Sequence, residues 1–273
     1  MTPPRSPEAL AALASGSLNG RVALITGGGT GIGRATATLL ARMGARVVVT
    51  GRREDLLAAT VADIEAAGGS ATAYPSDIRE PEAVDALLDQ VLNAEMRVDL
   101  LVNNAGGQFV SPAEDISPKG FRAVTRLNLD ATWYLSTQVA KRSMLPEGYG
   151  KIASITMTMT PHRGIVGMSH SSAARAGVES LTATWAQEWG ARGVRTIAIA
   201  PGVVHTDAWE NYGLDPDQVA QVMPLKRLQT ADEVAALVGF WMSPAGDYIT
   251  GITLVADGGM NLAGPRLYYP PAR

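Results

Sequence analysis

The stretch VALITGGGTGIGRATA, from Val22 to Ala37, constrains the fold more than any other part of the chain: an apolar run stops at a glycine cluster that opens a helical pattern. Gly27, Gly31 and Gly33 supply a tight turn, bare backbone and exposed amides, which is what a pyrophosphate needs at the start of a helix. A glycine-rich turn by itself also suits a flexible loop whose glycines serve packing. The strand before it and the helix after it favour nucleotide binding.

The same alternation runs along the chain. Strands are predicted at Val22–Thr26, Ala45–Thr50, Ser70–Tyr74, Val98–Asn103, Lys151–Thr156, Val194–Ala200 and Thr253–Asp257. Between them, Glu54–Ala67, Glu80–Ala94, Lys119–Met144, Ser172–Trp189 and Ala231–Met242 carry apolar residues at helical spacing. Short apolar runs alternating with longer amphipathic stretches mean parallel strands joined by crossover helices. The fold class is therefore α/β, a single domain with a doubly wound parallel sheet of about seven strands. Ligands bind such sheets at the carboxyl ends of the strands.

Residues 19–263 are assigned to this domain, 1–18 to a flexible arm rich in Pro, Ala and Ser, and 264–273 to a proline-rich tail. Charged residues make up 18% of the 273-residue chain and the formal net charge is −3, with no basic excess for a nucleic acid. No apolar run approaches bilayer-spanning length. Without cysteine there is no disulfide, thiolate nucleophile or thiolate ligand, and His162, His170 and His205 are too far apart in sequence for a metal site. The amino terminus lacks the basic flank and apolar stretch of a secretory signal, and the last three residues are not a peroxisomal address, so a cytoplasmic protein is expected.

The second strand-to-helix junction, VVVTGRRED, places Gly51, Arg52 and Arg53 where an NAD-binding strand ends in an acid. Two guanidiniums there suit the 2′-phosphate of NADP, whereas their other reading is a solvated helix start. Arginine in a first helical turn opposes the helix dipole unless an anion compensates it, which favours NADP. Further on, SDI at Ser76–Ile78 brings Asp77 and Ile78 toward an adenine.

TGGGTGIG at Thr26–Gly33, NNAG at Asn103–Gly106, Asn128 within RLNLD and APG at Ala200–Gly202 together resemble the short-chain dehydrogenases/reductases, over about Leu18 to Leu262. The resemblance implies a Rossmann-type domain, a nicotinamide cofactor and a homotetramer. It carries cofactor contacts onto Gly27, Thr30, Gly31, Ile32, Gly33, Asn104, Ala105, Gly106, Pro201 and Gly202. Val204 and Thr206 are placed as in the family to meet the nicotinamide amide and the pyrophosphate. The strings NNAGGQFVSPAEDIS, SSAARAGV, APGVVHTDAWENYG and SPAGDYITG are similar to NADPH-dependent trans-2-enoyl-CoA reductases of the peroxisomal type and to 2,4-dienoyl-CoA reductases. That closer resemblance implies NADPH and an acyl thioester substrate.

The chain departs from the family at its acid. The family's Tyr-x-x-x-Lys falls on Ser171 and Arg175, and its catalytic serine falls on Met157 by strand alignment or on Thr158 by spacing. Only Asn128 is unchanged. Reducing a ketone forms an alkoxide that must be protonated, and so benefits from an acid poised near neutral pH. Reducing a double bond conjugated to a thioester instead puts charge on the thioester oxygen, which needs donors and not a strong acid. Ser171 and Thr158 hydroxyls beside Arg175 are expected to supply them, with Arg175 also holding the nicotinamide ribose. A surface arginine on an amphipathic helix is the other reading of Arg175.

His170 and Tyr212 are the remaining candidate proton donors; a loop histidine and a packing aromatic explain them as well. Val203–Leu225 reads as a lid over the cleft, and Met157, Met159 and Met168 as an apolar wall suited to an acyl chain, although core packing explains one or two of them as well. The favoured function is NADPH-dependent reduction of the C=C bond of an enoyl thioester. Two alternatives stand beside it: a carbonyl reductase using His170 or Tyr212 as acid, and a non-redox cyclase, isomerase or cofactor sensor.

Overall fold

A computed structural model describes residues 15–158, 164–206 and 215–262. From the amino terminus, β1 (Val22–Thr26), α1 (Gly31–Arg42), β2 (Arg46–Gly51), α2 (Glu54–Ala66), β3 (Ser70–Pro75), α3 (Pro81–Glu95) and β4 (Leu100–Asn103) form the first half. The second half holds α4 (Pro118–Thr125), α5 (Ala131–Val139), β5 (Gly150–Ile155), α6 (Ser169–Trp189), β6 (Val194–Pro201), β7 (Val204–His205), α7 (Pro216–Val222), β8 (Gln229–Thr230), α8 (Ala231–Met242) and β9 (Ile252–Ala256). The seven expected strands make one parallel sheet in the order β3-β2-β1-β4-β5-β6-β9, and β7 pairs separately with β8.

A parallel sheet covered on both faces has strands without a polar side. Strand β1, VALIT, is accordingly buried at every position. Ala23 and Ile25 join a core with Leu39 and Leu40 of α1 and Trp241 of α8, while Val22 and Leu24 join the opposite core with Leu87 of α3 and Leu135 of α5. The chain winds outward from β1 to β3 and then returns to β4 on the other side of β1. That reversal opens a crevice at the carboxyl ends of β1 and β4.

Three details depart from the sequence reading. Leu18, within the stretch assigned to a flexible arm, is buried, and its amide donates to the Met43 carbonyl at 2.8 Å. The helix expected over Lys119–Met144 is continuous, but two π-helical turns, Arg126–Asp130 and Ala140–Met144, interrupt it, and the first carries Asn128. Lys151, expected merely to open a strand, is fully buried and closes the carboxyl end of α8: Nζ donates to the carbonyls of Trp241 at 2.8 Å and Ser243 at 2.7 Å. It also pairs with Asp247 at 2.6 Å. The carbonyls of a last helical turn have no intrahelical donor, so this cation satisfies them and the helix dipole together. Burial lowers the Lys151 pKa, against the pull of Asp247. Among the described residues no helix is long and apolar enough to cross a membrane.

Candidate active site

The crevice is a cleft of about 670 Å³. Gly27, Thr30, Gly31 and Ile32 line it from the β1–α1 turn, Arg52 and Arg53 from the end of β2, and Asp77 and Ile78 from the end of β3. Asn104, Ala105 and Gly106 follow β4, Pro201 ends β6, Gly202, Val204 and Thr206 come after it, and Arg175 reaches in from α6. Gly33 does not line the cleft. A Cβ there would lie 2.2 Å from the Gly27 carbonyl oxygen, so its glycine lets α1 close onto the turn. Gly27 itself has φ +64, a conformation glycine adopts without strain.

This wall combines a glycine turn with an uncapped helix start. Helix α1 has no side-chain cap at Thr30 and no acid in its first turn, which leaves its leading amides for an anion. The Thr26 hydroxyl accepts from the amides of Asn104 at 3.0 Å and Ala105 at 2.9 Å, fixing the turn after β4 against β1. The Arg79 guanidinium beside Asp77 holds its carboxyl below the usual carboxylate range. Arg52 and Arg53 are exposed at the rim.

The opposite end of the cleft, lined by Gln108, Leu127, Met157, Thr158, Ile165 and Met168, differs from the expectation. Ser171 is fully buried and does not face the open space. Its hydroxyl donates to Gln108 Oε1 at 2.7 Å, lies 3.6 Å from Met157 Sδ and accepts from Arg175 Nε at 3.4 Å. Thr158 does line the cleft, but its hydroxyl donates to the Ala200 carbonyl at 3.1 Å. Arg175 is anchored by Nη1, which donates to the Ile155 and Thr156 carbonyls at 2.9 and 3.1 Å.

Gln108 is the residue that sequence reasoning missed. It is the one long polar side chain in the small and apolar stretch NNAGGQFV, and that contrast was the available signal. Asn128 sits behind it in the π-helical turn. Its Nδ2 donates to the Gly107 carbonyl at 2.8 Å and its Oδ1 accepts from the Gly107 amide at 3.2 Å, pinning the backbone next to Gln108. His170 is fully buried, edge-on to Phe109 with ring centroids 4.3 Å apart, and its Nε2 has no partner among the described residues. It does not line the cleft. Tyr212, His162, Met159 and part of the lid expected over Val203–Leu225 fall outside the described residues; of the remainder, Val204–His205 is a strand and Pro216–Val222 a helix. No group of three or more His, Asp or Glu among the described residues is arranged to hold a metal.

The family pattern described as "Enoyl-(Acyl carrier protein) reductase" matches residues 27–261. A Bacillus subtilis protein named "Probable 2,4-dienoyl-CoA reductase", (2E)-enoyl-CoA-producing, is 37% identical over 244 residues, covering 88% of this chain and 96% of its own. A Synechocystis 3-oxoacyl-(acyl-carrier-protein) reductase is 39% identical over 246 residues, 89% of this chain and 98% of its own. The crystal structure of a short chain dehydrogenase from Burkholderia cenocepacia in complex with NADP superposes with a TM-score of 0.82 at 35% identity, covering 90% of this chain and 99% of that one. With this cleft, this sheet and these relatives, the chain belongs to the short-chain dehydrogenase/reductase family and is an oxidoreductase of the nicotinamide-dependent kind.

Proposed function

We propose that the protein reduces the carbon–carbon double bond of an enoyl thioester with NADPH. The open amides of α1, the Gly27 turn and the exposed Arg52 and Arg53 suit a dinucleotide that carries a 2′-phosphate. A reduced nicotinamide bound there supplies a hydride to the β-carbon of the substrate. The chain's task is then to stabilise the negative charge gained by the thioester oxygen.

One observation carries this reading. Arg175 Nε donates to Ser171 Oγ, which donates to Gln108 Oε1, so the amide oxygen of this cleft-lining residue is engaged within the protein and its Nε2 is the end left to donate to a substrate. A guanidinium at the far end of such a chain polarises it toward the cleft. Gln108 is the donor to the thioester oxygen, Ser171 and Asn128 position it, and Arg175 supports the charge without giving up a proton. Leu127, Met157, Ile165 and Met168 give the reacting carbons an apolar wall. The α-carbon takes its proton from water.

The likeness to a 3-oxoacyl reductase favours a second reading, carbonyl reduction. It requires an acid, and no Tyr, His or Lys is among the described residues lining the cleft. Exposed Phe121 and Trp133 beside the α4–α5 junction support assembly as a homotetramer, which light scattering tests. The reaction is tested by mixing protein, NADPH and trans-2-enoyl-CoA, following loss of the reduced nicotinamide and identifying the saturated product by mass. NADPH consumed with 3-oxoacyl-CoA but with no enoyl-CoA overturns the first reading in favour of the second.

A further inference from the structure

The mouth of the cleft carries an apolar surface that the reaction does not explain. Phe109, Val110 and Val166 are 40%, 61% and 97% exposed; Phe109 follows cleft-lining Gln108 and Val166 follows cleft-lining Ile165, while Val110 packs over Gly167 beside Val166. The two loops that bear them are tied together, the Ser111 amide donating to the Gly167 carbonyl at 3.0 Å. Both are also wedged in place. Phe109 lies edge-on against buried His170 and over Gly120, where a Cβ would come within 3.1 Å of the ring. Val110 covers Gly167, whose φ is +77 and whose added Cβ would lie 2.8 Å from Cγ1. A rigid apolar ledge continuous with a binding cleft is a contact surface and not a loose loop.

We infer that this ledge is the track for the alkyl chain of the substrate and that the protein selects acyl thioesters of about eight carbons or more over four-carbon ones. The inference rests on the enoyl-thioester reading. Met157, Ile165 and Met168 line the cleft, and Phe109 and Val166 come directly after cleft-lining residues, so the track runs from that apolar wall out onto the ledge. Methionines and a ledge covered from one side fit a flexible chain better than a ring of fixed shape.

Saturated acyl-CoA thioesters test the ledge without turnover. Butanoyl-, hexanoyl-, octanoyl- and decanoyl-CoA are titrated calorimetrically into the NADPH-loaded protein. A half-covered methylene is worth about a factor of 2 in Kd, so decanoyl-CoA is expected to bind roughly 60-fold more tightly than butanoyl-CoA. The Val110→Ser/Val166→Ser variant, altered only at exposed positions, is expected to cut that ratio to about 10-fold or less. A Kd independent of chain length overturns the inference while leaving the reductase reading to its own assay. So does a variant that keeps the full ratio but changes its oligomeric state, since the ledge is then a contact between copies of the chain.

Discussion

Replacing Gln108, Ser171 and both together is the perturbation that separates a donor from the residue that aims it. Gln108→Leu removes the amide facing the thioester oxygen, and loss of one oxyanion donor costs about 10²–10³ in kcat. Ser171→Ala removes the 2.7 Å bond that holds the amide and the longer contact with Arg175 Nε. A neutral hydrogen bond of that kind is worth about 1 kcal/mol, or about 5-fold in kcat. If fully buried Ser171 acts by holding Gln108, the double variant should be no slower than Gln108→Leu alone. The coupling free energy of the cycle is then about 1 kcal/mol, the whole effect of the serine. The assay is steady-state turnover of a trans-2-enoyl-CoA with NADPH saturating, with circular dichroism confirming the fold. The losses belong in kcat, with KM little changed, because the contact strengthens as charge develops. If the two single effects multiply in the double variant, Ser171 acts independently of Gln108 and the polarised chain is wrong.

Three further outcomes follow from other parts of the molecule. Lys151→Met takes the Nζ donor from the Trp241 carbonyl and leaves the Ser243 carbonyl with the Gly246 amide, partly offset by relief of the buried charge, for a net loss of about 2 kcal/mol; thermal denaturation should show Tm falling by about 4–8 °C, and a fall under about 2 °C would contradict the capping role. Burial pushes the Glu179 carboxyl above its usual range, so its protonated form stabilises the fold at acid pH and that contribution disappears as pH rises through the raised pKa. Glu179→Gln should therefore be more stable than the parent at neutral pH, by on the order of 1 kcal/mol or less, with the gap closing in acid; a variant equally destabilised at every pH refutes this. Arg52→Ala/Arg53→Ala should weaken NADPH about 10- to 100-fold in a fluorescence titration and leave NADH nearly unchanged, whereas equal weakening of both cofactors removes the 2′-phosphate assignment.

The strands were legible because a sheet buried on both faces writes each strand as an apolar run, and VALIT, RVVVTG and VRTIAIAP all do so. That most of the residues expected to hold a cofactor line one cleft was legible for a related reason: they lie in short segments at and directly after the ends of those strands. The two-residue pair β7 and β8 left no trace, being too short for periodicity and joining segments far apart in sequence. The π-helical turns were equally silent, since one extra residue in a turn barely disturbs an apolar face. Lys151 was unreadable because its partners lie about ninety residues away, at the end of α8. Ser171 was correctly placed beside Arg175, yet its direction depended on an amide from the loop after β4, and no local pattern encodes which of two neighbouring polar side chains meets the cleft.

The central claim is that charge on the substrate is stabilised by an amide and a guanidinium, with no acid handing over its proton. Neither group titrates near neutrality. The most direct test is kcat/KM for a trans-2-enoyl-CoA measured from about pH 6 to pH 9. The account predicts a level profile. A rate that falls with rising pH through a single ionisation, and becomes level in His170→Gln or Tyr212→Phe, would contradict it and identify the acid.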